Sequence, residues 1–156
     1  MTIYDSNGGY ISAIVTSNGV SKQVSHFVKN VLTNNGRDVF HQQCYTNTSA
    51  GTRGFGYIAV TTDTAAESAS DTSLAQEIGG GGLGRADATT KSHSNGTNSS
   101  TVEHTFTASA TYNSVYKAAT FNAGSGVTMG HEAKFNQSAS LIANDTLKVT
   151  WTLNLG

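Results

Sequence analysis

Gly79, Gly81 and Gly84 stand at the spacing G-x-G-x-x-G within the stretch DTSLAQEIGGGGLGRADATT, residues 71–90. Such a run cradles a dinucleotide pyrophosphate when a strand enters the glycines and a helix leaves them with its amides aimed at the phosphate. Here the order is reversed. Ser70 or Asp71 is placed to cap a short helix over about 71–78 in which Leu74 and Ile78 fall four apart, and residues 85–90 alternate small and polar side chains as a strand does. Helix, glycines and strand in that order describe a chain turning back into a sheet, where glycine accepts a left-handed backbone. We therefore expect no cofactor at this run.

Other residues invite chemistry more weakly. Asp63, Glu67, Asp71 and Glu77 crowd one connection, with no basic residue or histidine close by in sequence; they read as a solvated loop and helix start rather than an acid–base pair. His104 and His131 each fall on the apolar side of an alternating segment, so they would meet if those segments were neighbours. Two histidines without a third ligand make a poor metal site, and we expect none. Cys44 is the only cysteine and has no cation beside it in sequence, which suits a small buried hydrophobe better than a reactive thiol. Trp151 alternates with Val149 and Leu153 and reads as core. No G-x-S-x-G, H-E-x-x-H or P-loop lysine occurs, so no catalytic residues are assigned and a non-enzymatic protein is expected.

The elements that must position these residues follow from periodicity. Residues 10–15 read as a short strand, 55–60 as a strong one. Val102, His104, Phe106 and Ala108 alternate with polar residues, as do Val127, Met129, His131, Ala133 and Phe135, and Leu147, Val149, Trp151, Leu153 and Leu155. Val24, Phe27, Val28, Val31 and Leu32 instead follow the three-and-four spacing of an amphipathic helix, expected over about 21–35 with Ser21 as its cap and Gly36 as its stop. Residues 37–44 could continue as a second helical piece. Faces of this kind are buried most economically in a mostly β fold, an antiparallel β-sandwich with the 21–35 helix over an edge or end.

Composition narrows the partners. The 156 residues fit one domain, 1–156, with 1–9 as an N-terminal arm. Only 12% of residues are charged and the formal net charge is -1. The clustered Lys and Arg that nucleic-acid binding needs are missing, and no run reaches the ~20 apolar residues of a membrane helix; neither partner is expected. Without a basic segment followed by an apolar run at the N-terminus, a protein of the cytoplasm is expected. Proline is absent, and Asn-Gly pairs such as Asn18-Gly19 supply the turns. Tyr4, Tyr10, Tyr112 and Tyr116, set among Asn, Ser and Gly, are candidates for a contact surface.

The order of segments NVLTNNGRDVF, FGYIAVTTDTAA, SDTSLAQEIGGGGLGRADAT, TVEHTFTA, VYKAATFNAGSGVTMGHEAKF and NDTLKVTWTLNL resembles that of small β-sandwich virion proteins of tailed phages, relatives of tail-collar-fibre domains among them. The likeness spans about residues 30–155. It implies a capsid decoration (cement) protein or tail accessory subunit, assembled in the host cytoplasm, packed in many copies against itself and against a major capsid or tail protein. It implies no catalytic residues. The other expectation, drawn from the tyrosines and amides, is a carbohydrate-binding module of a tail fibre that recognises a host-surface glycan.

Overall fold

Alternating segments become strands in the computed structural model, which describes residues 10–36, 54–93, 99–126 and 128–154. Among the described residues these are β1 (Tyr10–Ser17), β2 (Val20–Lys29), β3 (Val31–Leu32), β4 (Tyr57–Thr61), β5 (Ala86–Asp87), β6 (Thr90–His93), β7 (Ser99–Thr107), β8 (Tyr112–Phe121), β9 (Met129–Leu141) and β10 (Thr146–Asn154). They form two sheets, β2-β1-β10-β7-β6 and β3-β9-β8-β4-β5, with every pairing antiparallel. The sheets pack face to face as the expected sandwich. Ile11, Ala13, Val102, Phe106, Leu147, Val149 and Trp151 from the first sheet meet Ile58, Val60, Val115, Ala118, Ala133, Phe135 and Leu141 from the second, in one continuous core. Each large apolar side chain so buried contributes about 1.5–3 kcal/mol relative to exposure.

The helix expected over 21–35 is absent; residues 20–29 form β2 and 31–32 form β3. Bulges explain the misleading period. Ile11 and Ala13, two apart on β1, face Val28 and Ser25, three apart on β2; Ala13 and Ile14 then face Ser25 and Gln23. Each extra residue shifts the alternation by one, so Val24 and Ser25 are buried side by side and the apolar positions mimic a helical spacing. The chain then passes from the edge of the first sheet to the edge of the second, where Val31 and Leu32 pair with Glu132 and His131. Residues 34–36 are helical, and the Thr33 hydroxyl accepts the Gly36 amide at 3.1 Å at the start of that turn. The piece expected over 37–44 lies outside the described residues.

The short helix expected over 71–78 is also absent; that stretch is turns and extended chain. Leu74 and Ile78 are buried as expected, though in different clusters, so they do not share a helical face. Residues 79–84 turn the chain into β5 with Gly81 and Gly82 at φ of 58° and 80°, while Leu83 plugs the main core. A Cβ on Gly82 would lie 1.9 Å from the Thr107 carbonyl oxygen, which is why glycine is required there. The β1–β2 hairpin turns through Asn18 and Gly19, both at positive φ (49° and 76°), as a two-residue hairpin demands.

Candidate functional site

One sheet face differs from ordinary sandwich surface. On the second sheet, the side facing away from the core carries Tyr57, Ala59 and Thr61 on β4, Lys117, Ala119 and Phe121 on β8, and Glu132 on β9, placed side by side by the register. A register shift between Thr120 and Phe121 turns Met129 to this side as well. Residues 62–85 cross this face like a strap. Leu74 packs on Ala59, Ala119, Phe121 and Met129. Thr61 donates its hydroxyl to the carbonyls of Ala75 and Gln76, and the Ile78 amide donates to the Val60 carbonyl at 2.9 Å. Further along, Arg85 grips Glu77 with two parallel bonds of 2.9 and 2.6 Å while its guanidinium lies 3.5 Å above the Phe121 ring.

Beneath the strap lies a buried charge cluster. Lys117, 2% exposed, extends its Nζ to 2.7 Å from Asp63 Oδ2 and 3.6 Å from Glu132 Oε2; Glu132 itself is 1% exposed. Glu132 Oε1 accepts the Ser68 amide at 2.7 Å, and the Asp71 carboxyl is hydrogen-bonded to Glu132 from the strap side. Burial, followed by that second carboxyl, pushes Glu132 up to about 7 against the pull of Lys117 and Ser68. Asp63 is held below the usual carboxylate range, first by its hydrogen bond to Lys117. Burial alone would lower Lys117, but Asp63 and Glu132 together outweigh it and raise the ammonium's pKa.

Two carboxylates that the sequence places in a solvated loop, Asp63 and Asp71, are therefore partners of Lys117 and Glu132, which no motif singles out. Glu77 pairs with Arg85, and Glu67 is half-buried on the strap. The missing basic partner is distant in sequence and near in space, because Thr61 and Lys117 face each other across β4 and β8. The only sequence signal for it is a lysine inside an otherwise small and apolar run, YKAATF.

His131 and His104 lie on different sheets. His131 is buried against Phe55 and Trp151 and bonds the Thr120 hydroxyl at 3.0 Å; burial lowers it to about 4, so it is neutral at pH 7. His104 packs edge-on to Phe106, its neighbour along β7. Among the described residues no group of three or more His, Cys, Asp or Glu is arranged to hold a metal. Tyr4 and Cys44 lie outside the described residues. Tyr10 opens β1 at the register of Thr152. Tyr116 is half-buried on β8. Tyr112 is half-buried and donates its hydroxyl to the Gly80 carbonyl at 2.8 Å, tying the glycine run to β8. Beside it a cleft of about 230 Å³ is lined by Ser17, Thr111, Asn113, Ser140, Ile142 and Asp145, among others.

Opposing proton linkages should follow. Glu132 titrates higher folded than unfolded, so its contribution is intact below about 4.5 and is lost as pH rises through about 7. His131 titrates lower folded than unfolded, so stability rises with pH between about 4 and 6.5. Wild type is expected to show a flat stability profile across this window. Glu132→Gln, which removes one of the two, should give urea-melt stability that climbs between pH 4.5 and 6.5; an unchanged profile would show that Glu132 does not titrate near neutrality.

Compared with known proteins, the chain matches no family model, no curated protein and no solved structure.

Proposed function

We propose that this chain is a structural, non-enzymatic subunit of a tailed-phage virion that works by surface contact in many copies. The observation that carries the reading is the outer face of the first sheet, where register aligns hydroxyls in rows. Ser21, Thr16, Thr146 and Thr107 form one row; Ser12, Thr150, Glu103 and Thr90 another; Thr152, Thr101 and Ser92 a third. Among the described side chains at the centre of this face, charge is matched within the face. Lys148 lies 3.0 Å from Glu103, which also accepts the Thr150 hydroxyl at 2.7 Å. Burial works against the charged form of Glu103, yet Thr150 and Lys148 outweigh it and hold the carboxyl below its usual range. A face of short hydroxyls with paired charges can dock closely on another protein without stranding a charge. The order of segments that resembles phage virion proteins supports the same reading, and a sequence with no coiled-coil heptads or long fibrous repeat favours a head decoration role over a fibre.

The test is co-sedimentation with purified particles. Wild type should bind and, when labelled, distribute over the head, whereas Thr107→Lys/Thr152→Lys should lose binding at least about tenfold, the cost of two unmatched charges in a contact, with no change in melting. Particle binding unaffected by these charges would contradict the hydroxyl face as the contact. The cleft beside Tyr112, with its hydroxyls and amide, favours one other reading, a glycan-recognition module. A glycan array with binding abolished by Asn113→Ala would support it over particle decoration.

A further inference from the structure

The geometry points to an intramolecular isopeptide bond between Lys117 Nζ and Asp63 Cγ, formed by the chain itself with Glu132 Oε2 as the proton-transfer group. Nucleophile, electrophile and proton carrier come from three adjacent places in the fold: the middle of β8, the residues just past the end of β4, and β9. Nζ lies 2.7 Å from Asp63 Oδ2, which puts the carboxyl carbon one bond further on, near the roughly 3–3.5 Å separation of a near-attack arrangement. The amine, at 2% exposure, and Glu132, at 1%, are shielded from water by the strap, while the Leu74 cluster packs on the same sheet face. Shielding of this kind keeps water from reversing the product. Holding one group on β8 and the other just past the end of its paired strand β4 replaces an encounter in solution with a unimolecular step.

The atoms balance without an oxidant or co-reactant. A proton passes from the Lys117 ammonium to the Asp63 carboxylate across their contact, leaving a neutral amine and a carboxylic acid. The Nζ lone pair attacks Cγ, and Glu132 Oε2, 3.6 Å from Nζ, takes the proton the nitrogen sheds. Glu132 then returns that proton to the departing hydroxyl, the Cγ–O bond breaks, and one water leaves. Glu132 ends in the state in which it began, and a carboxyl poised near neutrality both accepts and donates efficiently. The product ties the start of the strap to β8 in a chain whose single cysteine allows no intrachain disulfide. Such a bond would form in the isolated chain, independently of any particle it joins.

Intact-mass spectrometry of the purified full chain, folded by circular dichroism and held at neutral pH, tests this. Wild type should weigh one water less than its sequence requires, and digestion should yield a branched peptide joining the Asp63 and Lys117 segments. Asp63→Asn should lose ammonia instead, arriving at the same final mass as wild type. Glu132→Gln, nearly isosteric, should keep its full sequence mass while remaining folded. Folded wild type at its full sequence mass after prolonged incubation would overturn the bond. Loss of water by Glu132→Gln at the wild-type rate would overturn the role of Glu132.

Discussion

Replacing Lys117 by alanine is expected to lower stability by about 3–5 kcal/mol relative to wild type in which Lys117 and Asp63 are still an ion pair, measured by urea unfolding at pH 7, because it leaves Glu132 buried without its cation. Lys117 is 2% exposed and is the cation shared by Asp63 and Glu132. Its removal takes from Asp63 the amine that first depresses its pKa, and leaves Glu132 and Asp71 facing each other without compensation. The triple change Lys117→Met/Asp63→Asn/Glu132→Gln should recover most of the loss, since neutral groups of similar volume no longer incur the desolvation of unpaired charge. A cost below about 1 kcal/mol for Lys117→Ala, the range of exposed ion pairs, would place the cluster in water rather than beneath the strap.

The second large effect belongs to the core. Trp151→Ala should cost about 3–5 kcal/mol, the range for deleting a buried aromatic side chain. Trp151 is fully buried between the sheets, with the His131 ring 6.0 Å away, and its strand pairs with both β1 and β7. As the only tryptophan, it also reports its own surroundings by fluorescence. Emission in the native wild type should be that of a dry indole, shifting red together with the loss of circular dichroism. A red emission in the folded protein would show the sheets parted at their centre.

What could be read from the sequence divides by how many faces a strand buries. The segments ending in Ala108 and containing Trp151 bury one side, so alternation reveals them, and with them the sandwich. β8 is buried on both sides from Lys117 to Phe121, which erases the alternation that would mark it as a strand. β2 carries two extra residues against β1, which converted a strand into an apparent helix. The candidate cluster was half legible: Asp63 and Asp71 stood out by type, but their partners become neighbours only through the pairing of β4, β8 and β9. The glycine run over 79–84 does turn the chain into a strand as its downstream pattern predicts, but extended chain rather than the expected helix leads into it.

Hydrogen exchange on the wild-type chain asks directly whether residues 62–85 belong to the native packing of the second sheet. The amides of Ser68, bonded to Glu132, and Ile78, bonded to Val60, should exchange as slowly as those of β8 and β9. In Lys117→Ala, Ser68 should speed up first while β8 stays protected. Exchange of Ser68 and Ile78 in the wild type at the rate of an unstructured peptide would mean that the strap is not fastened, and that Lys117, Asp63 and Glu132 are open to solvent.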